Sequence, residues 1–135
     1  GLKHLNNNNA QNEYYLTDLV EILKKLGKKV VAIPCDDWQE VQGINGNVEL
    51  AHAAKYMQER INTEWMKKGV TIYDPNTAYI GPNVTFGTDV IIHPNTYLYG
   101  DTVVEDYAEI LPGTWLEDTN VSKAEIVGPF IRRKG

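Results

Sequence analysis

The sequence predicts a mixed chain: an α/β piece, then a long helix, then a parallel β-solenoid of six-residue repeats. Three observations predict it. Apolar residues recur every six positions from Ile80 to Leu116 without a miss, a period that neither an α-helix nor a simple strand produces. A helical stripe of apolar residues runs from Leu50 to Trp65. Ahead of that stripe, a short helical pattern leads into Val30-Val31-Ala32-Ile33, an apolar run closed by Pro34. A helix followed by a fully apolar strand is the unit of an α/β layer.

Composition narrows the function classes. The chain has 135 residues, 42% hydrophobic and 23% charged, which excludes disordered and fibrous classes. A single cysteine, Cys35, excludes an internal disulfide and a Cys-rich zinc site and fits a reducing compartment. No apolar run is long enough to span a membrane, and the polar N-terminus carries no signal peptide, so a soluble cytoplasmic protein is expected. The net charge of −5 is unevenly spread, with no Lys or Arg between Thr71 and Ser122. Nucleic acid requires clustered cations to replace its counterions, and that class is excluded.

The first segment opens on Asn6-Asn7-Asn8-Asn9, a loop that hydrogen-bonds its own backbone. Thr17 reads as a helix N-cap, with Asp18 and Glu21 in the first turn. Leu19, Val20, Leu23 and Leu26 follow at helical spacing, and Gly27 supplies a left-handed stop. The strand Val30–Ile33 cannot bury both faces against one helix, so this segment reads as part of a larger α/β domain.

The second segment is a helix that Asn47 can cap and Gly69 ends. Leu50, Ala54, Met57, Ile61 and Trp65 form one apolar stripe. About 20 residues at ~1.5 Å each give roughly 30 Å, enough for a connecting strut. An ordinary core-packing helix fits the same stripe.

The third segment sets Ile80, Phe86, Ile92, Leu98, Val104, Ile110 and Leu116 at the inward position of successive hexapeptides. Four residues after each stand Val84, Val90, Thr96, Thr102, Ala108, Thr114 and Asn120, and Gly, Pro, Asn and Asp crowd the positions between. In a triangular coil each hexapeptide makes one short strand and one turn, and inward side chains stack on their equivalents in the next coil. With three hexapeptides to a coil, Ile80 to Ile131 gives just under three coils. The register slips by one after Leu116 and resumes at Val127. Such hexapeptide solenoids are commonly left-handed.

The run Asn8-Asn9-Ala10-Gln11-Asn12-Glu13-Tyr14-Tyr15-Leu16-Thr17-Asp18 resembles the Asn-Asn-Ala-Gln-Gly-Glu-Tyr-Tyr-Leu-Thr-Asp signature of one family. Glu40-Val41-Gln42-Gly43-Ile44-Asn45, Asp74-Pro75 and Ile126-Val127-Gly128-Pro129-Phe130 also have counterparts there. The family is the bifunctional bacterial N-acetylglucosamine-1-phosphate uridyltransferase and glucosamine-1-phosphate acetyltransferase, which makes UDP-N-acetylglucosamine for cell-wall precursors.

The resemblance implies a fragment spanning the domain junction. Residues 1–47 would be the C-terminal part of a Rossmann-like uridyltransferase domain, 48–69 the connecting helix, and 70–135 the first coils of a left-handed β-helix that trimerises. It further implies Mg²⁺ in the complete uridyltransferase site. Acetyl-CoA would be a substrate of the parent enzyme, not expected to bind here, because the family's coenzyme contacts and acetyltransferase His lie in later coils. The Gly-rich nucleotide-binding turn and the metal-binding Asp after it have no match, so the fragment alone is expected to be inactive. Asn12 replaces a usual Gly.

Candidate site residues follow from the same match. Asn45 corresponds to the Asn that contacts both sugar nucleotide and Mg²⁺, and a side-chain amide oxygen suits a hard cation. Asn45-Gly46 equally reads as a tight turn. Tyr15 and Thr17 correspond to positions beside the substrate pocket, and equally read as a packed ring and an N-cap. Glu13 reads as structural and His93 as a surface residue of a turn. Two other functions stay open: a non-enzymatic trimerisation module, and another sugar nucleotidyltransferase with a β-helix tail.

Overall fold

The computed structural model describes residues 2–135. It divides into two compact units, one up to Val41 and one from Gln42 onward.

In the first unit, a 3₁₀ turn at Leu16–Asp18 runs into helix α1, Leu19–Lys25. Thr17 therefore lies inside the turn rather than at a cap, and the residue preceding α1, Asp18, makes no side-chain capping bond. Gly27 takes the left-handed conformation (φ +68°) and its amide bonds to the Lys24 carbonyl, as the sequence predicts. The expected strand at 30–33 is absent. No strand pairs with it among the described residues, and Val31 and Ile33 are 65% and 86% exposed. An apolar run becomes a strand only when a neighbour takes its backbone groups and covers its faces. The Rossmann-like layer that the resemblance implies is not seen among the described residues.

The second unit starts with helix α2, Asn47–Lys67. Gly46, not Asn47, is the N-cap, and no side chain caps it. At the other end Gly69 (φ +99°) allows its amide to reach the Met66 carbonyl while the Val70 amide reaches that of Trp65. That paired closure turns the chain straight into the first strand. Only the C-terminal half of the stripe packs: Ile61 and Trp65 sit against the core, whereas Leu50 and Met57 are about half exposed.

Eleven short strands follow among the described residues. Thr71–Ile72 (β1), Ile91–Ile92 (β4), Glu109–Ile110 (β7) and Ile126–Val127 (β10) make one parallel sheet. Ala78–Ile80 (β2), Thr96–Tyr99 (β5), Trp115–Glu117 (β8) and Arg132–Lys134 (β11) make the second. Thr85–Phe86 (β3), Val103–Val104 (β6) and Asn120–Val121 (β9) make the third. The result is a parallel solenoid of nearly four coils, not just under three, because it begins at Thr71 and runs to Lys134.

The register follows the repeat. Leu98 stacks on Ile80 and under Leu116, and Ile110 lies between Ile92 and Val127. All seven predicted inward residues except Phe86 are buried, and Phe86 is half-buried against Trp65. Burial of each Leu or Ile contributes about 1.5–3 kcal/mol. The second inward position is explained by chemistry as well as size. The hydroxyls of Thr96, Thr102 and Thr114 donate to the carbonyls of His93, Tyr99 and Leu111 at 2.6–2.7 Å, so a buried hydroxyl is satisfied within its own turn. The slip of one position is real: Val103 pairs with Asn120 and Val104 with Val121, and Thr119 rather than Asn120 fills the buried corner.

Candidate functional site

The predicted site residues fall in both units. In the first, Asn9 organises the loop ahead of α1. Its carboxamide oxygen accepts from the amides of Gln11 and Glu13, and its Nδ2 donates to the Glu13 carbonyl at 2.6 Å. Asn12 closes the turn at φ +56° and accepts from Asn7. Asn is the side-chain-bearing residue that best tolerates this left-handed region, so the substitution for Gly keeps the backbone path. Tyr15 is half-buried and its hydroxyl donates to Gln11 Oε1 at 2.9 Å; Thr17 is exposed. These contacts bring Tyr15 and the 9–13 loop together. Asn45 belongs to the second unit and is exposed in the irregular stretch before α2.

Asn45 offers one amide oxygen. Mg²⁺ demands near-octahedral oxygen coordination. Among the described residues no group of three or more His, Cys, Asp or Glu is placed to hold a metal. The residues present do not by themselves fit the ion, and no chemical step is assigned to it.

The solenoid carries three features that the hexapeptide pattern does not announce. On the outer face of the second sheet, Tyr79, Tyr97 and Trp115 form a ladder with ring centroids 5.1 and 5.3 Å apart. Arg132 places its guanidinium 5.5 Å from the Trp115 ring. Burial, with Tyr97 and Tyr79 close by, pushes the Tyr99 phenol above its ordinary value. A recurrence at 79, 97 and 115 was the available signal. The stacking covers much of Tyr97, Tyr99 and Trp115, which the repeat alone would leave exposed.

His93 is not a free surface residue. Its Nε2 lies 2.6 Å from Glu109 Oε1 in the next coil, and its ring meets that of Tyr73 edge-on at 5.0 Å. The third feature is polar. Gln58 and Asn62 of α2 reach the carbonyls of the first coil, a contact hidden within an otherwise apolar helix stripe. An open groove lies beside it, walled by Ala54, Met57 and Ile61 of α2 and by Tyr79, Pro82 and Tyr99 of the solenoid. No helix among the described residues is long and apolar enough to cross a membrane.

No family model matches the chain. Curated relatives do. The bifunctional protein GlmU of Halalkalibacterium halodurans is 41% identical over 126 residues, covering 93% of this chain and 28% of that protein. The GlmU of Corynebacterium aurimucosum is 46% identical over 120 residues, 89% of this chain and 25% of that protein. The chain matches one segment of the GlmU family. A third GlmU, from Thermodesulfovibrio yellowstonii, is 37% identical over 146 residues, 96% of this chain and 32% of its own length. The chain thus spans under a third of the length of the GlmU proteins it matches. That match extends across both compact units, so it includes the Asn9–Asp18 loop and Asn45 as well as the solenoid.

Proposed function

We propose that the chain is the junction segment of a transferase that makes UDP-N-acetylglucosamine. The complete protein would transfer uridyl from UTP to N-acetylglucosamine 1-phosphate with Mg²⁺, and acetyl from acetyl-CoA to glucosamine 1-phosphate. The observation that supports this is identity of 37–46% to GlmU proteins across about nine-tenths of the chain. In this reading Tyr15 and Thr17 are substrate-contacting positions of the first unit, and Asn45 of the second is a sugar-nucleotide contact that would add one oxygen to a Mg²⁺ shell completed elsewhere in the whole protein. The solenoid serves as the left-handed trimerisation body, and acetyl-CoA binds outside this segment. The cytoplasm, where sugar nucleotides are made, is the compartment that fits.

Two measurements test it. The isolated 135-residue chain is expected to form no UDP-N-acetylglucosamine from UTP and the sugar phosphate with Mg²⁺; turnover above a no-protein blank overturns the segment reading. In a complete protein carrying this segment, Asn45→Ala lowers uridyl transfer and spares acetyl transfer. Equal loss of both would mean that Asn45 acts only through folding.

A further inference from the structure

Asn45 is followed by Gly46, and no other of the twelve asparagines precedes a glycine. That pairing has a chemistry of its own. A backbone amide nitrogen can attack the carboxamide carbon of the asparagine before it and close a five-membered imide. The attack is quickest where the following residue has no Cβ to obstruct it and its nitrogen is not hydrogen-bonded. Asparagine counts among the thermolabile residues for this reason.

Both conditions are met at Asn45. It and Gly46 are exposed. The Gly46 carbonyl accepts the Leu50 amide at 3.0 Å and so opens α2, but no hydrogen bond among the described residues holds the Gly46 amide. The other asparagines are better shielded. Six of them precede Val or Thr, whose branched Cβ crowds the attacking nitrogen. After Asn76, Asn83 and Asn95 that nitrogen is also occupied: the amides of Thr77, Val84 and Thr96 donate to the carbonyls of Asp74, Gly81 and Thr77 at 3.2 Å. In the Asn6–Asn9 run, the amide after Asn8 donates to the Asn7 carbonyl at 2.9 Å, and the Asn9 carboxamide is tied to the Glu13 backbone.

We propose that Asn45 is a site of self-modification, converting through a succinimide to isoaspartate. The Gly46 nitrogen loses its proton to hydroxide and bonds to Asn45 Cγ. The Cγ–Nδ2 bond breaks, and ammonia leaves with a proton returned from water. A second water then opens the ring. Opening at Cγ gives aspartate, and opening at the former backbone carbonyl gives isoaspartate, whose main chain runs through the side-chain carbons. Ammonia is exchanged for water with no redox change, which adds about 1 Da and one negative charge. The new carboxylate stands just before α2, where the helix dipole favours an anion. The conversion stands apart from the sugar-nucleotide role proposed above, and it would remove the neutral amide oxygen on which that role depends.

The test uses the full 135-residue chain, held for several days in mildly alkaline buffer at body temperature and then cleaved after glutamate. The peptide 41–49 is expected to gain that mass, with isoaspartate at position 45 told from aspartate by electron-transfer fragmentation. Gly46→Thr should slow the gain at least tenfold. Threonine can cap a helix, the φ of −161° at this position suits any residue, and an added Cβ meets only the flexible end of Glu49. Asn45→Gln, which would need a six-membered ring, should leave position 45 unchanged. A folded chain whose 41–49 peptide keeps its mass overturns the proposal, as does a rate at least tenfold below that of the same synthetic peptide. A faster gain at Asn76 or Asn95 overturns the assignment to Asn45. An undiminished gain in either variant overturns the imide route.

Discussion

Gly87 shows how closely adjacent coils approach. Its backbone is not in the left-handed region, so conformational freedom does not explain it. A Cβ there would lie 2.6 Å from the backbone nitrogen of Asp106, one coil on. Asp106 is held in place because its carboxylate accepts the Thr88 amide at 2.8 Å. Gly87→Ala is therefore expected to destabilise the solenoid by about 1–3 kcal/mol, as overpacking of fixed backbone does. A urea midpoint equal to wild type would show that the coils separate freely. Other turn residues were less legible. Asn95 and Asp89 are residue types that tolerate positive φ, but Tyr107 (φ +61°) and Phe130 (φ +54°) are not. Tyr107 stands one coil on from Asp89, and Phe130 two coils on from Asn95, where the stack repeats the turn of the coil beneath. Local sequence preference is overruled there by coil-on-coil hydrogen bonding.

At the scale of elements, legibility depended on where each element finds its partner. The hexapeptide strands were readable because every inward residue meets a like residue one coil away, and the pattern is therefore written into the sequence. Val30–Ile33 satisfied the same local criteria and formed no strand, since its partner would have to come from residues outside its own neighbourhood. The α2 stripe was half right: Ile61 and Trp65 pack, while Gln58 and Asn62, polar and interleaved with them, carry the docking contacts. The site residues divide likewise. Resemblance supplied Tyr15, Thr17 and Asn45, whereas the His93–Glu109 pair needed coil register to be seen. One inter-element contact has a defined pH signature. Glu125, ahead of β10, accepts the Ser122 amide at 2.8 Å and both terminal nitrogens of Arg133 in β11 at 3.1 Å. Chiefly the Ser122 amide, and then Arg133, hold its carboxyl below the usual range, against partial burial. A carboxylate with a depressed folded value gives stability that is present above its unfolded value, near 4.3, and lost as pH falls through the folded one. Between about pH 5 and 3 the wild-type urea midpoint should fall more steeply than that of Glu125→Gln. Parallel curves would show that the contact adds no pH-dependent stability.

At the scale of the molecule, the solenoid has a thin core and three long faces. Its fully buried side chains are confined to a narrow interior of aliphatic and threonine residues, so surface is large relative to interior. The faces are not equally finished. Stacking covers much of Tyr97 and Trp115, while Tyr73, Val103, Tyr107 and Ile126 remain 43–64% exposed. Exposed apolar side chains recurring along a rigid body mark contact surfaces. With no Lys or Arg between Thr71 and Ser122, charge pairing between copies has few cations to draw on, so apolar contact must dominate. A triangular prism suits closed threefold packing about an axis parallel to its own. The chain is therefore expected to trimerise through residues 80–131. Sedimentation equilibrium at tens of micromolar should give one species at three times 15.2 kDa. Because the contact is apolar, its mass should hold in salt high enough to screen exposed ion pairs. Val103→Glu and Tyr107→Glu place charge on that surface without entering the core, and together should shift the species toward monomer with unchanged β circular dichroism. A wild type that sediments as a monomer would remove the trimer, and a trimer indifferent to both substitutions would move its interface to another face.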